Sequence, residues 1–259
     1  MTKEERENAI LNQLQVHGSA LVTDLSALLE VSTVTIRKDL TELERAGKLY
    51  RSHGKAILIN PFTNNRTVSE KEKLNADLKL LIGKEAAKLI TPNDSIVIAS
   101  GTTIHALAHS IHPVSKLTVV SASLPASVAL AQNQNVEIIQ LGGMMRHSSE
   151  SVIGNYAEQF LSECAFSKLF LGVDGIDFDY GFTTTDLREA TLNQKMMTAA
   201  QKIIVLADSS KFGRRGFALI CDLADVDMII TDYKISQKDI NALEAQGIEL
   251  VIAKPDEEI

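Results

Sequence analysis

The stretch VIASGTTIHALA, residues 97–108, decides the reading of most of the chain. It completes an apolar run over 95–99, breaks at Ser100-Gly101-Thr102-Thr103, and continues at helical spacing from Thr103. The run is continuous rather than alternating, as a strand covered on both faces requires. The same alternation extends outward in both directions. Helices are predicted near 78–89, from Thr103, and over 125–131, 156–163, 187–200 and 236–246. Strands are predicted over 95–99, 117–120, 136–141, 168–173, 202–207, 227–231 and 248–253. That order predicts an α/β domain with a mostly parallel sheet over residues 76–259.

The first 59 residues follow a different pattern. Helical spacing over 3–16 puts Ile10, Leu11 and Leu14 on one face, and His17-Gly18 ends it. A second helix over 22–30 presents Leu25, Leu28 and Leu29, with Thr23 or Asp24 as its cap. A third runs from the N-cap Ser32 to Ala46, burying Ile36, Leu40 and Leu43, with Gly47 as its stop. Two short strands then flank Ser52-His53-Gly54 as a hairpin. This predicts a small α+β module over 1–59. The polar stretch over 60–75, which contains Pro61, reads as a linker.

Composition narrows the function classes. With 45% hydrophobic residues among 259, the chain can bury a large core. No apolar run approaches the roughly 20 residues that span a bilayer, and MTKEERENA lacks the apolar region of a signal peptide. Cys164 and Cys221 sit in no metal-binding spacing, so no metal or cofactor is expected, and a reducing cytoplasm is the expected compartment. The net charge is −7, yet residues 1–60 carry eight basic and eight acidic side chains, so the acidity lies wholly downstream. The basic residues of the first module cluster after Val31, as in a module that offers one face to double-stranded DNA.

Within VSTVTIRKDLTELERAGKLYRSHGKA (residues 31–56), burial of Ile36, Leu40 and Leu43 leaves Thr33, Thr35, Arg37 and Lys38 on the outer side of the third helix. The N-terminal half of a recognition helix enters the major groove. Thr35 suits a phosphate or a thymine methyl, Arg37 a bidentate guanine contact, and Lys38 a phosphate. Arg51, His53 and Lys55 of the hairpin would flank the groove.

In the α/β domain, candidate residues fall at strand ends, where open sheets bind ligands. The amides and hydroxyls of Ser100, Gly101, Thr102 and Thr103 suit an anion at a helix start. Gly142 and Gly143 allow close backbone approach. Asp174, followed by Gly175, can accept from sugar hydroxyls. Glu189 lies in a helix's first turn, and Lys211 in ADSSKF (residues 207–212) can neutralise a phosphate.

These motifs, in this order, resemble the DeoR-type bacterial transcriptional regulators. Val-Ser-x-x-Thr-Ile-Arg-x-Asp-Leu of their winged helix-turn-helix is matched in full at residues 31–40, whereas Lys55 stands where Arg-x-His-Gly-Gly-Ala has glycine. The resemblance implies an effector domain related in fold to sugar-phosphate isomerases, with Ser100–Thr103 and Lys211 at a phosphorylated sugar. It also implies a homo-oligomer, dimer or tetramer, that represses a carbohydrate operon. The family's Thr-Asn-Gly after the second strand is Ser121-Ala122-Ser123 here, so the amide side chain is missing at Ala122, and Ser121 is a candidate contact to the effector. The alternative is an isomerase-like enzyme fused to a DNA-binding module. The isomerases' Asp-Gly-Ala-Asp-Glu loop survives as Asp174-Gly175-Ile176-Asp177 with Phe178 in place of the glutamate, and Gly181-Phe182-Thr183-Thr184-Thr185 replaces their glycine run. Enolisation needs both a base and a carbonyl donor, so a sensor without turnover is expected.

Overall fold

The computed structural model describes residues 1–46, 48–52, 54–58 and 68–255. The chain divides into two compact units, Met1–Asn64 and Asn65–Ile259.

In the first unit, α1 (Lys3–His17), β1 (Ser19–Leu21), α2 (Val22–Leu28) and α3 (Thr33–Arg45) precede β2 (Leu49–Ser52) and β3 (Lys55–Leu58). Thr2 and Glu5 form a capping box at the start of α1, and Gly18, in the left-handed region, closes it by donating to Leu14. The start of α2 differs from expectation. Its N-cap is Leu21, and neither Thr23 nor Asp24 caps it. Ser32 caps α3 by accepting from the Thr35 amide at 3.2 Å. Ser26 Oγ donates to the Val31 carbonyl at 2.6 Å, which fixes the turn between α2 and α3. Ile10, Leu14, Leu25, Ile36, Leu40 and Leu43 form the core. β1, which the sequence pattern does not reveal, adds to the hairpin in the order β1-β3-β2. Gly47 and His53 lie outside the described residues, as does 60–67 of the expected linker. Residues 68–75 are not linker. Val68–Glu72 forms α4 within the second unit, with Val68 buried.

The second unit continues with α5 (Ala76–Ala87), β4 (Ser95–Ile98), α6 (Thr102–Ser110), β5 (Leu117–Ser121), α7 (Leu124–Leu130), β6 (Val136–Gln140), β7 (Met144–Arg146) and β8 (Ser151–Ile153). There follow α8 (Asn155–Ser162), β9 (Phe166–Gly172), β10 (Gly175–Asp177), β11 (Gly181–Thr184), α9 (Leu187–Thr198), β12 (Ala200–Leu206), β13 (Ala218–Cys221), β14 (Met228–Asp232), α10 (Gln237–Ala245) and β15 (Glu249–Ala253). Seven strands form one wholly parallel sheet in the order β15-β14-β12-β9-β4-β5-β6. Successive β4 residues serve opposite faces. Ile96 and Ile98 pack with Ile82, Ile104 and Leu107, while Val97 joins Ala157, Leu161 and Met196. This two-sided burial is the reason the strands are continuous apolar runs. β7 pairs with β8, and β10-β11-β13 forms a small antiparallel sheet. Cys221 is buried, Cys164 half-buried, and both are free. Among the described residues, no helix is long and apolar enough to cross a membrane.

The order of the main sheet reverses between β4 and β9. From β4 the chain steps outward through β5 and β6, and from β9 it steps the other way through β12, β14 and β15. The carboxyl ends of β4 and β9 therefore open a crevice at a topological switch point.

Candidate DNA-reading face and ligand crevice

On α3, Arg37 and Lys38 are exposed, and Thr33 and Thr35 are half-buried at its start. The Thr35 hydroxyl lies 2.9 Å from Ser32 Oγ and so belongs to the cap as well as to the outer face. Val34, which the sequence reading does not single out, is 72% exposed on the first turn. It offers the apolar surface that a thymine methyl contacts. The helix is held from behind by Arg6 of α1, whose guanidinium forks onto the buried Asp39 carboxylate, with Nη2 donating to Oδ1 at 2.9 Å. Arg51 has a tie of its own. Its amide and Nε donate to the two oxygens of Glu44 at 2.9 and 2.8 Å, which pins β2 to α3. Lys55 is exposed on β3, while His53 lies outside the described residues.

The crevice in the second unit is built on Gly101. Its φ of 117° and ψ of 164° turn the chain from β4 into α6, and no side chain caps that helix. Amides at the start of α6 thus lack intrahelical partners and can meet an anion. β9 ends against this turn at Gly172, where a Cβ would stand 2.7 Å from the Ser100 carbonyl oxygen. Ser100, Gly101, Thr102, Thr103, Asp174, Glu189 and Lys211 line one cavity of about 40 Å³. Ser121, Gly142, Gly143 and Gly175 do not line it. Ser121 is fully buried, with its Oγ accepting from the Ser123 amide at 3.0 Å. A Cβ on Gly143 would meet the Ile153 carbonyl oxygen at 2.6 Å, and one on Gly175 the Arg214 carbonyl oxygen at 2.5 Å, so both glycines serve strand packing.

Further residues reach the cavity from outside the sheet. Lys71 of α4 donates to Asp174 Oδ1 at 2.7 Å, and Lys211 Nζ lies 3.9 Å from the same oxygen. Arg146 of β7 places Nη1 3.2 Å from Glu189 Oε2 and Nε 3.3 Å from Asp186 Oδ2. Asp186 caps α9, accepting from the amides of Arg188 and Glu189. Ser100 donates to Glu189 Oε1 at 2.9 Å, and Thr184 donates to Asp174 Oδ2 at 3.2 Å. Neither Lys71, in a charged segment, nor Arg146, in a polar one, stands out in the sequence, because only long-range contacts bring them to the cavity.

Burial by itself would raise the Asp174 carboxyl. The ammonium groups of Lys71 and Lys211, with hydrogen bonds from Lys71 and Thr184, overcome this and hold it well below the usual carboxylate range. Glu189 moves the other way. Burial and the negative charge of Asp174 raise it, and Arg146, Lys71 and Ser100 offset only part. Burial also lowers Lys211, against the pull of Asp174 and Asp208. The lining holds three basic and two acidic residues.

A carboxyl raised by folding adds stability below its unfolded value and loses that contribution as pH rises through its folded one. The melting temperature of the second unit is therefore expected to carry a falling component as pH rises from 4.5, the ordinary value for glutamate. Glu189→Gln should lack that component. The contribution of Asp174 has the opposite sign and is lost only below 3.8, so the two windows separate. Parallel melting-temperature profiles for wild type and variant between pH 4.5 and 7 would show that Glu189 is not strained.

A groove-sized helix face with exposed cations, joined in one chain to an α/β unit with an electropositive crevice, defines a DNA-binding transcriptional regulator with a sensor domain. Residues 6–62 match the DeoR-like helix-turn-helix domain, and residues 74–233 match the DeoR C terminal sensor domain. The chain belongs to the DeoR family of transcriptional regulators. The putative aga operon transcriptional repressor of Escherichia coli O157:H7 is 38% identical over 250 residues, covering 96% of this chain and 93% of that protein. The lactose phosphotransferase system repressor of Staphylococcus epidermidis is 32% identical over 235 residues, covering 90% and 93%. Among solved structures, ribose 5-phosphate isomerase A of Methanocaldococcus jannaschii aligns at a TM-score of 0.38 and 20% identity, over 53% of this chain and 55% of that one.

Proposed function

We propose that this regulator represses a carbohydrate-utilisation operon and that its crevice senses a phosphorylated sugar. The observation that carries the proposal is the uncapped start of α6 facing a cavity whose lining is richer in cations than in anions. A phosphate suits those amides and Lys211, and Asp174 suits hydroxyls. The repressor role draws support from the relatives named above. Thr33, Val34, Thr35, Arg37 and Lys38 are the proposed DNA contacts, with Lys55 beside them. Two or more copies in the cytoplasm would read repeated half-sites, as two-fold regulators do.

We read the crevice as a binding site without turnover. Glu189 is a potential base, but Phe178 stands where the isomerases' loop has its glutamate and Gly181-Phe182-Thr183-Thr184-Thr185 replaces their glycine run, so the constellation for enolisation is incomplete. Interconversion of an aldose and a ketose phosphate by the pure protein would overturn this.

The test separates the two sites. Operator sequences are selected from a randomised duplex pool with the wild-type protein, and sugar phosphates are then screened for their effect on that complex. Arg37→Ala is expected to weaken operator binding by about 1–3 kcal/mol, the worth of a bidentate guanine contact, and to leave ligand affinity unchanged. Lys211→Ala should weaken ligand binding roughly 10- to 100-fold, as loss of a charged hydrogen bond does, with operator affinity of the free protein intact. Equal ligand affinity in Lys211→Ala would remove that residue from the site.

A further inference from the structure

The crevice is closed by its own chain. Its 40 Å³ is far below the roughly 300 Å³ from which small-molecule pockets begin, and the Lys71–Asp174 ion pair crosses it. Lys71 belongs to α4, the first described element of the second unit after the segment that leads from the DNA-reading module. The hydrogen bonds of Val68, Lys71 and Glu72 tie this short helix down at the crevice or beside it. The Val68 amide donates to the Ser148 carbonyl at 2.8 Å, and Ser148 lines the same cavity. Glu72 Oε1 meets Nδ1 of the buried His105 on α6 at 2.9 Å. Lys79, buried in α5, donates to the carbonyls of Lys71 and Leu74 at 2.6 Å each and holds the turn after α4.

Lys71 and Asp174 are also complementary to the two ends of a phosphorylated polyol. The ammonium would take the phosphate and the carboxylate a hydroxyl. We propose that the Lys71–Asp174 ion pair is a latch holding α4 over the crevice, and that a phosphorylated ligand opens it by replacing each partner for the other. This rests on the crevice being the phosphosugar site. A ligand that pairs with both groups only when they are apart binds the open arrangement more tightly, and that difference in affinity is what shifts the equilibrium. The released helix continues directly into the chain that leads to the DNA-reading module. Lys79 is a positioning residue, acting on Lys71 through the backbone of α4.

Amide hydrogen exchange of the full-length protein tests this, with glycerol 3-phosphate, a phosphorylated polyol, as the probe and sodium chloride at equal ionic strength as the control. Lys71→Met and Asp174→Asn are each expected to speed exchange over residues 68–80 by about tenfold or more without ligand, as loss of a charged hydrogen bond implies. Amides of β9 and β12 should stay protected, which shows that the fold is intact. In the wild type, glycerol 3-phosphate should slow exchange over residues 101–104 and speed it over 68–80. In Lys71→Met the second effect should be absent. Unchanged exchange over 68–80 in both variants overturns the latch. So does glycerol 3-phosphate that protects 101–104 without loosening 68–80, an outcome that leaves the anion site standing. No response at 101–104 removes the anion site and the latch with it.

Discussion

Asp39→Ala is expected to unfold the DNA-reading module while leaving the α/β unit folded. Asp39 sits in the middle of α3 with 1% of its surface exposed, and its carboxylate receives the forked guanidinium of Arg6. Removing one partner of such a pair leaves the other charge in place without compensation, which is far worse than removing both. The module has little reserve, since a core of about 60 residues supplies only roughly 3–5 kcal/mol in total. In calorimetry, the transition belonging to Met1–Asn64 should disappear at 25 °C and above, and that of the larger unit should be unmoved. Operator binding should be lost and ligand binding kept. The double variant Arg6→Met/Asp39→Leu, which buries no charge, should recover much of the lost transition. If Asp39→Ala melts like the wild type, α3 is held by its apolar face alone.

Gly101→Ala should have the largest effect on the crevice. The backbone of Gly101, at φ 117° and ψ 164°, lies in a region that is essentially reserved for glycine. A Cβ there would meet nothing within 4 Å, so the penalty is conformational and no neighbour can relieve it by moving. Strain of about 1–3 kcal/mol is expected, lowering the melting temperature of a unit this size by roughly 2–4 °C per kcal/mol. If the chain escapes the strain by turning the peptide, the amides of Thr102 and Thr103 lose their aim. Phosphate affinity measured by calorimetry should then fall by at least the roughly tenfold of one lost charged hydrogen bond. Retention of full affinity would show that the start of α6 is not the cradle.

The parts of this molecule that sequence reveals are those whose burial is local in pattern. The inner strands of the main sheet are legible because both faces are covered, so β4 or β14 shows as a short apolar run, whereas the edge strand β6 keeps its apolar run although Glu137, Ile139 and Gln140 are exposed. The α3 face is legible because Ile36, Leu40 and Leu43 recur at helical spacing. The small strands are not. β7 is exposed at both methionines, and β11 is threonine-rich and buried between β10 and the more distant β13. The cradle, Asp174, Glu189 and Lys211 share a cavity because each ends or follows a strand near the switch point. Ser121 and Gly143 also end or follow strands, but those strands lie on the β5 and β6 side of the sheet and local packing takes them up, while Gly142 has open space around it and lies outside the cavity. Lys71 and Arg146 were illegible for the opposite reason. Their partners lie 103 and 43 positions away, at Asp174 and Glu189, and only the finished fold creates the pairs.

The position of the crevice also bears on how such a protein can diversify. Its floor is backbone, where the ends of β4 and β9 are locked in register from Ile96 opposite Lys168 to Ile98 opposite Phe170. Its roof is side chains carried by α4, the β7–β8 hairpin and the turn after β12, none of which belongs to the main sheet. Substitution in the roof at Lys71, Arg146 or Ser148 changes what the cavity accepts without touching the hydrophobic core. Drift in α4 and in the β7–β8 hairpin can therefore reshape the cavity while the backbone at the start of α6 stays unaltered.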